Sequence, residues 1–483
     1  MGRKPSEDRG ASRRALLGLM LLALSIAASA RGAELSGLVD AALPGGVALA
    51  DQIWRAAELG YLETESSAAL QAHLEARGFA IDTGVAAIPT AFVASYGRGE
   101  PVIGILAEFD ALPGLSQAAV PVRRPLEAGA AGHACGHHLF GAASVTAAMA
   151  LADWLDGENR SGTIRVYGTP AEEGGSGKVY LTRAGLFNDV DVVLHWHPGD
   201  RNSAAAASST ANKSGRFTFH GISAHAASAP DRGRSALDGV EAMNYMVNLM
   251  REHVPSNARI HYVITNGGAA PNIVPETAQV YYYVRHPEAA RVVELFERVV
   301  TAAEAAALGT GTEMSYEVMH GNYPVLPNET LARLVDGNLR SLGGYLYDDE
   351  ELAFARQIRK TLGKNLPSIE STNEVAPFRV TQGMGSTDVG DVSWNVPTVG
   401  FRTATWVPGT PAHSWQAVAA GGTSIGHKGM GLAAKLLART ARDLIENPEI
   451  IREAQDELEA KRGPDFEYEA LLGDRDPPLD YRL

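Results

Sequence analysis

The stretch GHACGHHLFG, residues 132–141, holds the chain's only cysteine, Cys135, one glycine away from His137 and close to His138. A thiolate and an imidazole are donors suited to Zn²⁺ or a similar divalent ion. The intervening glycine lets the backbone turn so that both side chains can face one point. Taken alone the pair is ambiguous, because a buried free cysteine beside a histidine commonly serves packing only. A second stretch, PAEEGGSG, sets Glu172 and Glu173 side by side ahead of a run of glycines. Adjacent carboxylates there allow a division of labour, in which one binds metal and the other takes a proton from water. The plainer reading is a solvated acidic loop. A third, HWHPG, carries His195 and His197, which are expected on opposite faces of a strand, one ligating while the other packs. A fourth, GTPAHSWQ, places His413 in a loop near a proline. Each piece alone favours the bland reading. Together they supply a thiol, carboxylates and imidazoles, enough for one or two metal ions.

Several short apolar runs must position these groups: TAFVASYG, PVIGILAEFD, TIRVYGTP and DVVLHWHP. They read as buried strands, and GAASVTAAMALADWL between them reads as a helix rich in small residues. This alternation predicts an α/β domain around a mixed, largely parallel sheet flanked by helices. In such sheets ligands gather beyond the strand ends. Asp110, Glu172, Glu173 and His197 all follow or end such runs. DQIWRAAELGYLETESSAALQAHLEARGFAI has helical spacing throughout and predicts a helix ending at a glycine turn. From residue 212 the order becomes strand, helix, strand, strand, helix, strand, the ferredoxin-like βαββαβ unit. The expected division is a leader over 1–30 and a catalytic domain over 31–211 and 323–450. Between those two parts lies an inserted dimerisation domain over 212–322. The C-terminal helix and a loosely ordered tail occupy 451–483.

The 483 residues are 45% hydrophobic and 20% charged, with a formal net charge of −14, a soluble globular composition that a single core does not accommodate. Residues 1–30 run from basic through apolar to small side chains, the order of a signal peptide cleaved after Ala30. Arg13 and Arg14 before the apolar run fit the twin-arginine route. Export, with a periplasmic destination, is therefore expected. Five basic and two acidic residues lie in this leader, so the chain without it carries about −17, with no basic clusters for nucleic acid. No membrane association is expected after cleavage. A lone cysteine excludes an internal disulfide, and metal coordination would explain a single thiol in an exported protein.

AEFDALPG, GHACGHH, GTPAEEGGSG, WHPG, GISAHAAS, APNIVPE and GSTDVGDVSWNVPTVGF…GTPAHSWQ occur in this order. Together they resemble the metal-dependent amidohydrolases of the aminoacylase, hippurate hydrolase and carboxypeptidase-G type. The resemblance implies Cys135, His137, Glu173, His197 and His413 as ligands of one or two ions, Zn²⁺ or Mn²⁺. It implies Glu172 as general base, Asp110 as the group that orients a ligand, and His225 as a donor that polarises the scissile carbonyl, often in a partner's site. Asn272 and Arg285 match positions that grip a substrate carboxylate. The implied activity is hydrolysis of N-acyl or N-aroyl amino acids by a homodimer joined through the inserted domain.

Two positions depart from the family pattern. Glu108 stands where the wider clan has a histidine, and His138 where an acidic or amide residue is common; His138 is expected to support the ligands from behind. Three other readings compete with the main one: a dipeptidase of the same family, a thiol hydrolase using Cys135, and an exported binding protein without catalysis.

Overall fold

The structure is a computed structural model that describes residues 34–483; the leader over 1–30 lies outside the described residues. Helix α1 spans 34–56 and α2 Thr64–Ala76. The single helix expected across this region is two, because Ala57 and Tyr61 adopt left-handed backbone angles between them. Gly78, also left-handed, closes α2: its N–H bonds to Glu75 O, and that of Phe79 to Leu74 O.

The large sheet contains β1 (Ala80–Thr83), β2 (Phe92–Arg98), β3 (Val102–Ala107), β4 (Gly162–Gly168), β5 (Val192–Gly199) and β12 (Thr398–Ala404), in the order β1-β2-β4-β3-β5-β12. The pairs β4–β3, β3–β5 and β5–β12 are parallel, and β1–β2 and β2–β4 antiparallel. The sheet is thus mixed and largely parallel, as expected. Helix α3 (His137–Glu158) is buried along nearly its whole length, which its Ala- and Ser-rich sequence permits, since small side chains let neighbours close in from every side. It is the one described helix long and apolar enough to cross a bilayer, and it serves here as the central core helix.

The small unit runs β7 (Ala211–His220), α5 (Ala236–Met250), β8 (Arg259–Asn266), β9 (Thr277–His286), α6 (Ala289–Thr310) and β10 (Glu313–Asn322). Its antiparallel sheet has the order β10-β7-β9-β8, the ferredoxin-like arrangement. Strand β9 alternates strictly between partly and fully buried residues. Its Ala278, Val280, Tyr282 and Val284 pack with residues of α5 and α6, while Tyr281, Tyr283 and Arg285 occupy the other face.

The chain then returns to the large domain. Helix α4 (Gly177–Arg183) precedes the insertion; α7 (Glu329–Leu342), α8 (Asp349–Arg359), α9 (Val389–Ser393), α10 (Trp415–Gly421), α11 (Ser424–Glu446) and α12 (Pro448–Arg462) follow it. A short parallel pair, β6 (Ala206–Ser208) and β11 (Val380–Gln382), sits beside the large sheet. Helices α11 and α12 are separated at Asn447. Pro448 lacks an N–H and forces its predecessor out of the helical region, to φ −132, ψ 73.

The tail expected to be loose is packed down. Leu471 and Leu472 are buried, and Tyr468 Oη donates to Asp391 Oδ1 at 2.8 Å. Arg475 donates to the carbonyls of Val318 and Met319, and Arg183 to that of Gly473. The tail therefore ties β10 of the small unit to α4 and α9 of the large one.

Candidate active site

The site forms where β3, β4, β5 and β12 end. Gly136, at φ +79, turns the chain from Cys135 into α3, so His137 begins that helix. A side chain at Gly136 would meet Pro198 at 2.8 Å, so a residue without Cβ is needed there. Three non-glycine residues around the site also adopt left-handed angles: Ala171 just before Glu172, Ser176 at the start of α4, and His413 itself. Strain of this kind survives where neighbours over-determine it. Ala171 N donates to the buried Glu63 Oε1 at 2.8 Å, His413 N to Ala134 O at 3.1 Å, and Ser176 Oγ bonds to His320 Nδ1.

These turns bring all five expected ligands into one cluster. Donor atoms of Cys135, His137 and His197 lie within 4.8 Å of one another, as do those of Cys135, Glu173 and His413, and of His137, Glu172 and Glu173. Cys135 Sγ is 3.3 Å from His413 Nε2 and 3.7 Å from His197 Nε2, and His413 Nε2 is 3.3 Å from Glu173 Oε1. Asp110 reaches two of these groups. Its Oδ1 accepts from His137 Nδ1 at 2.8 Å and its Oδ2 from Glu173 N at 2.9 Å. With Nδ1–H committed to the carboxylate, His137 Nε2 is the ring's free donor atom.

The protonation pattern shows a site short of positive charge. Burial opposes charge on His137, yet the carboxylates of Asp110 and Glu108 hold it well above the ordinary histidine value. Hydrogen bonds to Cys135 and Glu173 push His413 up to about 10. His137 Nε2 faces Glu108 Oε2 at 3.1 Å and Glu173 Oε1 faces His413 Nε2 at 3.3 Å, both pairs outside good hydrogen-bond geometry and the first three of these atoms buried. Poorly satisfied donors around a thiol, with His137 and His413 drawn toward their cationic forms and His197 held neutral by burial, fit divalent cations. The two triads that share Cys135 fit two of them.

Glu108 takes part in a charge relay behind the cluster. It lies 3.1 Å from His137 Nε2 and 2.7 Å from Lys178 Nζ, which is also 2.7 Å from Asp388 Oδ1. All four side chains are essentially inaccessible. Lys178 and Asp388 were not singled out in the sequence, although Lys178 directly follows the motif GTPAEEGGSG and Asp388 lies in GSTDVGD. The tail is a second unforeseen contributor: Tyr481 Oη and Arg482 Nη2 both donate to the carbonyl of Glu173, at 3.2 and 2.5 Å.

Three expectations about histidines change. Residues two apart on a strand share a face, so His195 and His197 both look into the site cavity rather than opposite ways. His138 is no ligand support. It is buried, bonds to Gly421 O at 3.1 Å, and its ring lies tilted against that of His133 with centroids 4.9 Å apart. His225 is exposed on the small unit and, with Asn272 and Arg285, belongs neither to the donor cluster nor to the cavity lining. Asn272 accepts from Ala226 N next to His225, and the Arg285 guanidinium lies over Tyr283.

A cavity of about 520 Å³ opens from the cluster. Cys135, Glu172, Glu173, His197 and His413 line one end, and small or apolar residues such as Ala206, Ser208, Val325 and Val399 line the rest.

Residues 209–310 match the peptidase dimerisation domain of the M20 group. Over 436 residues the chain is 42% identical to one of the subunits of p-aminobenzoyl-glutamate hydrolase from Escherichia coli K12, spanning 85% of this chain and 91% of that one. It is 32% identical to the Xaa-Arg dipeptidase of Mus musculus, over 86% and 89% of the two chains. The fold matches an aminobenzoyl-glutamate utilization protein from Klebsiella pneumoniae, with a TM-score of 0.60, 17% identity and 85% and 98% coverage. It also matches a dinuclear metal-binding peptidase of the M20 family from Bacillus subtilis, with a TM-score of 0.54, 17% identity and 83% and 99% coverage. With a thiol, carboxylates and imidazoles gathered at the strand ends beside a ferredoxin-like insertion, and with this extent of identity, the chain belongs to the M20 family of metal-dependent amidohydrolases and peptidases.

Proposed function

We propose that the chain hydrolyses the amide bond of N-acyl or N-aroyl amino acids of the p-aminobenzoyl-glutamate kind. The observation that carries this reading is Glu172 lying against a donor cluster that divides into two triads about Cys135. Cys135, His137 and His197 would hold one divalent ion, Zn²⁺ or Mn²⁺, and Cys135, Glu173 and His413 a second. Bound there, such ions supply Lewis acidity and lower the pKa of nearby water. Glu172 then takes the proton from the attacking water and returns it to the leaving amine. Burial, with the carboxylates of Glu108 and Glu173, pushes Glu172 well above the usual carboxylate range. That direction suits a group that must both accept and release a proton near neutrality. Asp110 keeps the His137 ring fixed and anchors the backbone of Glu173.

His225 Nδ1 accepts from the N–H groups of Ala227 and Ser228, each at 3.2 Å, which leaves Nε2–H as an outward donor. A donor suits the developing oxyanion on the substrate carbonyl, and from its exposed position it would serve a partner's site. The apolar surface for a homodimer lies on the sheet edge and adjacent helix: Tyr262, Val263 and Ile264 of β8 and Tyr245 and Leu249 of α5 are exposed. Asn272 and Arg285 would grip the substrate carboxylate. The basic, apolar and small-residue order of the leader over 1–30 supports a periplasmic location, and mass spectrometry of the mature N-terminus checks the expected start at Arg31.

Replacing Glu172 with Gln should lower hydrolysis of p-aminobenzoyl-glutamate by about 10²–10⁴-fold with metal content unchanged. Near-normal turnover would remove the assigned base. Cleavage of dipeptides in preference to acylated amino acids would favour the dipeptidase reading, which the identity to the mouse enzyme supports. A thiol mechanism runs against the direction of the Cys135 pKa, raised by burial and by Glu173, whereas a nucleophilic thiol needs the reverse. Loss of activity on chelation and recovery on adding metal separates the two.

A further inference from the structure

We infer that Arg402 forms a carboxylate-binding subsite in the cavity wall beside the donor cluster, for a second carboxylate of the substrate besides the α-carboxylate. Strand β12 pairs with β5 in parallel, with Gly400 alongside His195 and Arg402 alongside His197. Side chains paired across neighbouring strands project to the same face, so Arg402 stands next to His197 on the face that carries the cavity. Gly400 makes room for this arrangement: a side chain there would lie 2.2 Å from the His195 ring.

Arg402 lines the cavity and is exposed to it, and its guanidinium has no hydrogen bond or ion pair among the described residues. Arg77 and Arg165, by contrast, are each tied to aspartates. Apart from the cluster's own carboxylates and histidines, Arg402 is the only charged residue lining the cavity among the described residues. A planar five-donor cation, unpaired in a half-enclosed and otherwise neutral wall, is prepared for a carboxylate fork. The same charge disfavours a cationic substrate side chain. The substrate class is therefore a diacid: an N-acyl amino acid with an acidic side chain, or an acyl group that itself carries a carboxylate.

This inference rests on the amide-hydrolase reading, and its test separates the two. Metal-loaded E172Q protein is titrated by calorimetry with N-benzoyl-glutamate, N-benzoyl-glutamine and N-benzoyl-arginine, and with N-(4-carboxybenzoyl)glycine against N-benzoylglycine. A side-chain carboxylate should tighten binding about ten- to a hundredfold over the amide, with arginine weakest. That ratio should collapse toward one in E172Q/R402Q and partly return in E172Q/R402K. If the benzoyl carboxylate shows the Arg402-dependent preference instead, the subsite stands and belongs to the acyl side. Equal affinities within both pairs, or a preference that survives R402Q, overturn the inference. Turnover by protein with Glu172 intact is scored separately. Selective binding with no amide cleaved would refute hydrolysis and leave the subsite. Cleavage without any Arg402-dependent preference would leave hydrolysis and refute the subsite.

Discussion

Asp391 offers a stability prediction whose sign follows from its surroundings. It lies fully buried on α9, where Oδ2 accepts from Tyr323 N at 2.9 Å and Oδ1 from Tyr468 Oη at 2.8 Å. Burial outweighs both hydrogen bonds and raises its pKa to about 8, against roughly 3.9 in an unfolded chain. Between these values the folded protein holds a proton that the unfolded chain has released. Stability from this group is thus fully present below about pH 4 and is lost as pH rises through about 8. The full swing is on the order of 5 kcal/mol. Asp391→Asn keeps the shape and can serve both partners, accepting from Tyr323 and donating to Tyr468, but does not titrate. Urea unfolding of wild type and D391N at pH 5, 7 and 9 should show the variant ahead by about 1.5 kcal/mol at pH 5, widening to about 5 kcal/mol at pH 9. Parallel curves, with the same difference at every pH, would refute the reasoning.

Two further outcomes follow from contacts behind the site. Lys178→Met leaves Glu108 and Asp388 buried without their shared cation, so urea denaturation should show a loss of about 3–5 kcal/mol; a loss below about 1 kcal/mol would mean the relay is not paired as described. Deleting residues 480–483 removes the Tyr481 and Arg482 bonds to the Glu173 carbonyl and the Tyr481 ring from its edge contact with Tyr61. Since the loop of Glu172 and Glu173 then loses its support, kcat should fall about ten- to a hundredfold while the melting temperature stays within a few degrees, and an unchanged kcat would show that the loop is held without the tail.

The clustering of the five proposed ligands was legible because each lies in a short turn-forming motif with a distinctive donor, and parallel strands deliver their ends to one edge of a sheet. The βαββαβ unit was legible for a similar reason, its strands and helices being cleanly periodic. Contacts across long separations were not. Lys178 and Asp388 are 210 residues apart, and nothing local in either segment announces a buried pair. The break between α1 and α2 rests on left-handed angles at Ala57 and Tyr61, residue types that carry no turn signal, whereas the break before α12 has a local cause in Pro448. The tail reads as polar and proline-rich, yet Leu471, Leu472 and Tyr468 are enough to fasten it. The two histidines of β5 needed only the period of two to be placed together.

The proposed reaction needs divalent ions held by the residues around Cys135. An anomalous-difference map from crystals of the active, metal-loaded enzyme tests it most directly. Two peaks are predicted, one among Cys135, His137 and His197 and the other among Cys135, Glu173 and His413, with the thiolate touching both. An active enzyme whose ions lie elsewhere, or whose Cys135 contacts none, would contradict the account.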